Sequence, residues 1–137
     1  MEFGDWGVRK AEFVKDADEQ VARFHEDLSS ALKYEVDKFN QCVGSKHRFA
    51  IKFQTDDNVL TVGNGYKNIR VDFNIPPGVI QFTTLYERDQ KPANGAIGDA
   101  SLMLDDDGEQ WIATSIPDEC SDPEQCAVWI LNEIFAV

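Results

Sequence analysis

The sequence lacks the features of a membrane-spanning or exported chain. Its 137 residues include no apolar run that approaches the length a transmembrane helix needs, which is about 18 residues. The first six residues carry no basic cluster and no continuous apolar stretch, so they do not have the pattern of a signal or transit peptide. We therefore expect a cytoplasmic protein that does not engage a membrane.

Positive charge is scarce, and it is unevenly placed. The chain has 13 basic and 25 acidic side chains, a formal net charge of −12, and residues 87–137 hold 12 of the acids but only 2 of the bases. The negative electrostatic field of this region repels phosphate backbones, so we expect no direct binding of nucleic acid. A basic protein is the natural partner for this acidic region, although acidity that serves only solubility explains the same composition.

Cysteine is too rare for a disulfide scaffold. Cys42, Cys120 and Cys126 cannot all pair within one chain, so we expect reduced thiols. Cys126 falls in the first turn of a predicted helix, where the helix N-terminus lowers a thiol pKa. Acidic neighbours such as Asp122 and Glu124 oppose that effect, and we interpret the cysteines as structural.

Motifs that would carry catalysis or bind a metal or cofactor are missing. The sequence holds only two histidines, His25 and His47, and neither has a second His or Cys at ligand spacing. The acid-rich run 105–109 has the wrong spacing for an EF-hand and is typical of a solvated turn. We predict no catalytic residue, no metal site and no cofactor, and the pattern favours a protein that is not an enzyme.

A long amphipathic helix is predicted over residues 9–41. No glycine or proline interrupts it, and Gly44-Ser45 supplies a stop. Its apolar residues recur at steps of three and four, namely Phe13, Ala17, Val21, Phe24, Leu28, Ala31, Leu32, Val36 and Phe39. A helix of this length overhangs a small core unless it lies along a sheet or pairs with a second chain.

Alternating patterns then predict a run of antiparallel strands. The predicted strands are 48–54, 59–63, 67–75, 79–86, 101–105 and 110–115. Asn64-Gly65 indicates a type I′ turn, Pro77-Gly78 indicates a type II turn, and Asp107-Gly108 suits a tight hairpin. Residues 87–98 have no period and are predicted to form the longest loop.

A short helix ends the chain, from Pro123 to about Phe135, with Asp122 as its N-cap. Ala127, Leu131 and Ile134 are expected to face the core. The fold class that follows is α+β over residues 1–137 as one domain. Its two layers are a five- or six-stranded antiparallel meander and, on one face of it, the long N-terminal and short C-terminal helices.

The leading functional hypothesis is an acidic, non-enzymatic protein-binding module, in the manner of an inhibitor, immunity protein or chaperone. The acidic pole runs from Asp99 to Glu124, and Trp129 lies off the predicted core stripe. The candidate partner-binding residues are therefore Asp105, Asp106, Asp107, Glu109 and Trp129.

Two alternatives stay open. One is a small-ligand or enzymatic pocket between the long helix and the sheet, covered by the loop 87–98, with Tyr66, Tyr86 and His47 as the nearest polar groups. The other is a structural homodimer held by the exposed part of the first helix.

Overall fold

Two helices lie on one face of a six-stranded antiparallel sheet. The computed structural model describes residues 3–86 and 100–136, so the predicted loop 87–98 lies outside the described residues. In chain order the elements are α1 (Phe3–Val43), β1 (Lys52–Thr55), β2 (Val59–Gly63), β3 (Lys67–Phe73), β4 (Val79–Tyr86), β5 (Ser101–Leu104), β6 (Trp111–Thr114), a 3₁₀ helix (Asp118–Ser121) and α2 (Pro123–Phe135). The predicted α+β class is confirmed.

The sheet is a meander in which each strand pairs with its neighbour in sequence, in the order β1-β2-β3-β4-β5-β6. The register places Leu60, Val71 and Phe82 side by side on three adjacent strands, and all three are buried. Their neighbours along each strand point to the opposite face, because side chains alternate in a strand. That outer face is polar over β3, where Arg70 and Asp72 form an ion pair at 3.1 Å.

Helix α1 covers the inner face with one apolar stripe. The stripe consists of Ala17, Val21, Phe24, Leu28, Leu32 and Val36, all buried as the spacing predicts. The helix ends at Val43, and Gly44 follows it with a left-handed φ of +99°, as is common just after a helix. The N–H of Gly44 donates to the carbonyl oxygen of Asn40 at 2.9 Å.

The start of α1 differs from the prediction. The helix begins at Phe3, and residues 5–12 are exposed, although Trp6 lies on the same helix face as the buried stripe. Its 41 residues make a rod of about 61 Å, longer than any strand beneath it. The expected overhang is therefore real, and it carries an exposed tryptophan.

The first strand is shorter than predicted, because a side chain of α1 takes up hydrogen-bonding groups of the backbone that a partner strand would otherwise pair with. Asn40 donates from Nδ2 to the carbonyl oxygen of Ile51 and accepts from the N–H of Ile51, each at 2.8 Å. Ile51 is thus bonded to the helix and not to a strand. Strand β1 starts at Lys52, and Phe49, which lies within the predicted strand 48–54, is 40% exposed.

Two turn predictions have different outcomes. The register of β2 and β3 makes Gly65 and Tyr66 the central pair of their hairpin, and of these only Gly65 has positive φ. The type I′ prediction for Asn64-Gly65 is therefore wrong. The side-chain oxygen of Asn64 instead accepts from the N–H groups of Tyr66 and Lys67. At the next turn, Gly78 has φ of +77° and Val79 donates to Pro76 at 3.1 Å, as a type II turn requires.

Helix α2 is capped as predicted but is rotated relative to the prediction. The Asp122 carboxylate accepts from the N–H of Gln125 at 3.1 Å. Its buried residues are Cys126, Ala127, Ile130 and Ile134, whereas Leu131 is only half-buried. At its C-terminus the buried Lys67 of β3 donates to the carbonyl oxygen of Ala136 at 3.3 Å. None of the described helices is long and apolar enough to cross a bilayer.

Replacing Asn40 by Ala should lower the free energy of unfolding by about 2 kcal/mol, because two part-buried hydrogen bonds to Ile51 are lost. The neighbouring exposed Gln41→Ala is the matched control and should change it by less than about 0.5 kcal/mol. Urea unfolding of the three proteins measures both values. Equal stability of the two variants would show that the Asn40 contact does not hold β1 to α1.

Candidate functional site

The predicted acidic residues of the β5–β6 hairpin differ in their exposure to solvent. Asp105 is half-buried and shapes the turn, since its Oδ1 accepts from the N–H of Glu109 and its carbonyl oxygen accepts from Gly108, both at 2.9 Å. Asp106, Asp107 and Glu109 are exposed. We call these three carboxylates the hairpin cluster.

The hairpin is held against α1. Gly108 has φ of +71°, and a Cβ placed on it would lie 3.8 Å from the ring of Phe13 and 3.9 Å from Cβ of Asp16. A side chain at position 108 would be strained by this φ whatever space it found. The contact brings the carboxyl-bearing residue Asp16 of α1 beside the hairpin cluster.

The acidic pole divides into two groups. Asp118, Glu119, Asp122 and Glu124 lie in or beside the 3₁₀ helix and the first turn of α2, which follow β6, whereas the hairpin cluster precedes β6. Four residues of extended strand separate the ends of β6 by about 13 Å. The predicted end of the pole at Asp99 lies outside the described residues.

Trp129 is partly exposed and firmly seated. Its ring meets that of Phe82 edge-on, with the centroids 5.8 Å apart and an interplanar angle of 89°. The half-buried ring also lines an open cavity of about 430 Å³ between the 3₁₀ helix and α2. The other lining residues are Pro117, Glu119, Cys120, Glu124, Gln125, Val128 and Asn132.

A wider groove of about 690 Å³ lies on the other side of the first turns of α2, between α1 and α2. Its carboxylates are Asp27, Glu35, Asp122 and Glu124, and its remaining lining residues are Ser30, Ala31, Tyr34, Pro123, Ala127 and Val128. None of these lining residues is basic. Tyr34 is 61% exposed and Val128 is 52% exposed.

The groove and the cavity share Glu124 and Val128, so they form one continuous surface. We call it the α2 surface: Tyr34, Val128 and Trp129 supply its large apolar side chains, and Asp27, Glu35, Glu119, Asp122 and Glu124 supply its carboxylates. The chain itself places one cation beside this surface, because Lys38 Nζ lies 5.0 Å from the centroid of the Tyr34 ring. Apolar area beside several carboxylates can hold the stem and head of a lysine or arginine together.

Sequence reasoning found Trp129 but missed the contribution of α1. Asp27, Ala31, Tyr34 and Glu35 are spaced as i, i+4, i+7 and i+8, so they share one helix face beside the buried stripe. The signal that the sequence offered was a tyrosine, Tyr34, on a helix face beside the apolar stripe. What the pattern could not supply is the position of α2, which completes the groove.

Of the residues named for the predicted pocket, Tyr66 and His47 are exposed at turns, and neither lines the cavity that opens beside α1 at His25. The side chain of Tyr86 lies outside the described residues.

A cavity of about 560 Å³ does open beside α1, at His25. The His25 ring stacks on Phe73 with centroids 4.0 Å apart, and its Nε2 is 2.7 Å from Oγ1 of Thr55. Burial lowers the pKa of His25 from its ordinary 6.5, and the carboxylate of Asp57 counters part of this effect.

Within residues 3–86 and 100–136, no three or more His, Cys, Asp or Glu side chains are grouped to hold a metal ion. Comparison of the chain with protein-family models, curated proteins and solved structures gave no match. Functional inference therefore depends on the surfaces themselves.

His25 should make stability depend on pH. Its pKa is lower in the folded than in the unfolded chain, so the unfolded chain binds the proton more tightly. The contribution of neutral His25 is present above its ordinary pKa and is lost as the pH falls below it. Between about pH 7.5 and about pH 5.5 we expect a smaller fall in melting temperature for His25→Asn than for the wild type.

The exposed His47→Asn is the control and should keep the wild-type fall between the two pH values. A His25→Asn protein whose melting temperature falls as much as that of the wild type would contradict the assignment.

Proposed function

We propose that this protein is a non-enzymatic acidic module that binds a basic partner protein through its α2 surface. The observation that carries the proposal is the composition of this surface, which combines the exposed Tyr34 and Val128 and the half-buried Trp129 with five carboxylates and has no basic lining residue. Protein interfaces commonly have an apolar, aromatic centre and a polar rim. Charge complementarity indicates a partner rich in lysine and arginine.

The groove favours a side chain that is both long and cationic. A lysine or arginine stem can lie along Ala31 and Ala127, while its charged head reaches the carboxylates of Glu35 and Glu124. The Tyr34 ring offers a further cation–π contact of the kind that Lys38 already makes. The charged lining residues of the α2 surface are all carboxylates, which repel phosphate groups, so a protein is favoured over a nucleic acid.

The hairpin cluster has a different role in the proposal. It lies on the β5–β6 turn, at the other end of β6 from the 3₁₀ helix and α2, and the proposal gives it no direct contact with a partner seated on the α2 surface. Its charges still add to the field that attracts a basic protein, over a distance that is about 10 Å at 0.1 M salt. The hairpin cluster thus speeds association, while Tyr34, Val128 and Trp129 lengthen the life of the complex.

The proposed setting is the cytosol, because all three cysteines are free thiols and a reducing compartment keeps them so. Inhibitor, immunity and chaperone roles all fit this scheme, since each requires only a tight contact with a basic surface.

Two variants with the same change of charge separate the two acidic regions. One carries E35Q, E119Q and E124Q on the α2 surface, and the other carries D106N, D107N and E109Q on the hairpin. The partner is first captured from lysate at about 50 mM salt and released at about 500 mM. We expect the α2 variant to bind it at least about tenfold more weakly, and the hairpin variant to associate more slowly at low salt with an unchanged dissociation rate.

Apolar contact is tested in the same assay by Val128→Ser, which should speed dissociation severalfold. Val8→Ser is its control, because Val8 is 60% exposed on the distant overhang of α1. A partner that binds the α2 variant and Val128→Ser as tightly as the wild type would refute the α2 surface as its site. Failure to capture any salt-sensitive partner would refute the module itself.

A structural homodimer is the second candidate, favoured by Trp6. This side chain is 55% exposed and continues the core-facing stripe of α1 beyond the sheet. If a second copy covers it, sedimentation velocity should show a dimer that Trp6→Ser converts to monomer, while the equally remote Val8→Ser leaves the dimer intact. A wild-type monomer at every concentration tested would remove this candidate.

A further inference from the structure

The first strand of the sheet has a free edge. In the order β1-β2-β3-β4-β5-β6, β1 has β2 on one side and no strand of the described chain on the other. Such an edge presents backbone N–H and C=O groups to which a further strand can add. The residues of β1 therefore decide what can pair with it.

Alternation identifies the backbone groups that this edge presents. Asp56, directly after β1, donates its N–H to the carbonyl oxygen of Val59 in β2 at 2.8 Å. Successive residues of a strand direct their backbone groups to opposite sides, so Thr55 and Phe53 direct theirs away from β2. Thr55 and Gln54 are exposed and Phe53 is half-buried, so solvent reaches this edge.

Asn40 closes the edge at its other end. Ile51 would be the next residue to face it, but Asn40 bonds both the N–H and the C=O of Ile51, each at 2.8 Å. Residues 57 and 58 form the turn to β2. A strand that adds to β1 can therefore pair only with Phe53 and Thr55.

A second copy of β1 satisfies this restriction in one antiparallel register. When Phe53 of each copy lies opposite Thr55 of the other, a two-fold axis passes between the two Gln54 residues. Both open positions of each copy are then used, in two pairs that exchange two main-chain hydrogen bonds each. Pairing Phe53 with Phe53, or Thr55 with Thr55, leaves one open position of each copy unused, because it meets either Ile51 or the turn.

The same register places opposite charges across the interface. Lys52 lies opposite Asp56 of the second copy, and the two-fold axis repeats this pair. Both side chains are exposed, and both lie on the outer face of the sheet, because they alternate with Phe53 and Thr55. Directly opposite residues have their Cβ atoms about 5 Å apart, so the ammonium and carboxylate groups are within reach of each other.

Helix α1 is complementary to itself about the same axis. Lys33 lines a cavity of about 610 Å³ between α1 and β1 whose strand residues include Ile51. Glu26 lines the cavity of about 560 Å³ at the other end of β1, beside Asp56, and Ser29 lines both cavities. Rotation about the axis therefore turns Lys33 of one copy toward the side on which the other copy carries Glu26.

The net negative charge of the chain opposes association least at this edge. Residues 46–57 hold three lysine or arginine side chains and two aspartates, whereas the whole chain has a net charge of −12. The hairpin cluster precedes β6, which is the opposite edge of the sheet. Five strand spacings of about 4.8 Å separate β1 from β6, which exceeds the Debye length of about 10 Å at 0.1 M salt.

We propose that two copies of this protein pair through the free edges of β1 and so join their two sheets into one continuous antiparallel sheet. The interface consists of main-chain hydrogen bonds at Phe53 and Thr55, flanked by ion pairs between Lys52 of one copy and Asp56 of the other. This inference goes beyond the proposed function and does not rest on it. It also differs from a dimer held by Trp6, which lies on the overhang of α1.

Sedimentation velocity of charge variants tests the register. K52D places two carboxylates opposite each other in both symmetric pairs and should weaken the dimer at least about tenfold, and D56K should do the same with two ammonium groups. The double variant K52D/D56K restores opposite charges and should dimerise like the wild type. Lys15→Asp is the control, because Lys15 is exposed on α1 and has no part in the interface.

Rescue by the double variant is the decisive result, since it requires residues 52 and 56 of different copies to face each other. A double variant that dimerises no better than K52D would overturn the proposal. A wild-type protein that stays monomeric at every concentration would overturn it as well.

Amide hydrogen exchange followed by NMR tests the addition of the strand directly. The N–H groups of Phe53 and Thr55 should become protected as the protein concentration rises, because they gain main-chain partners in the dimer. The N–H of Gln54 faces β2 and should exchange at the same rate at all concentrations. A dimer in which Phe53 and Thr55 stay unprotected, or which Trp6→Ser converts to monomer, would show that the copies meet elsewhere and would refute the β1 interface.

Discussion

The packing of one helix stripe against one sheet face is the constraint on which the rest of this structure depends. Leu28 and Leu32 of α1 are fully buried over the sheet, as are Leu60 and Val71 within it. Burial of such side chains is worth about 1.5–3 kcal/mol each, which makes this layer the main favourable contribution to folding. Other elements take their positions from it.

Polar contacts then fix the ends of elements, which apolar packing alone does not hold in place. Asn40 ties the beginning of β1 to α1, and Lys67 ties the end of α2 to β3. Each uses a side chain to satisfy backbone groups at the end of an element, where a regular partner is missing. The Lys67 contact holds the C-terminal end of α2 over β3. The groove between the helices depends on how both are held over the sheet, so the α2 surface depends on residues that are not part of it.

The distribution of charge adds a second level of organisation. The acidic last third is continuous in sequence but not in space, because β6 intervenes between the hairpin cluster and the first turn of α2. One acidic region therefore lies on the β5–β6 turn, and the carboxylates of the other line the groove between α1 and α2. Cys120 lines the adjoining cavity, so the α2 surface extends from the first turns of α2 back to the 3₁₀ helix before it.

The sequence by itself determined the element types, the meander and the buried stripe of α1, because hydrophobic periodicity, the Asp122 cap and the Gly78 turn are local signals. The sequence patterns did not determine the long-range contacts. The start of β1 depends on Asn40, eleven residues away. The tyrosine side of the groove depends on how α1 meets α2. Only tertiary structure brings such groups together, since the free energy that pairs them comes from the whole core and not from the residues between them.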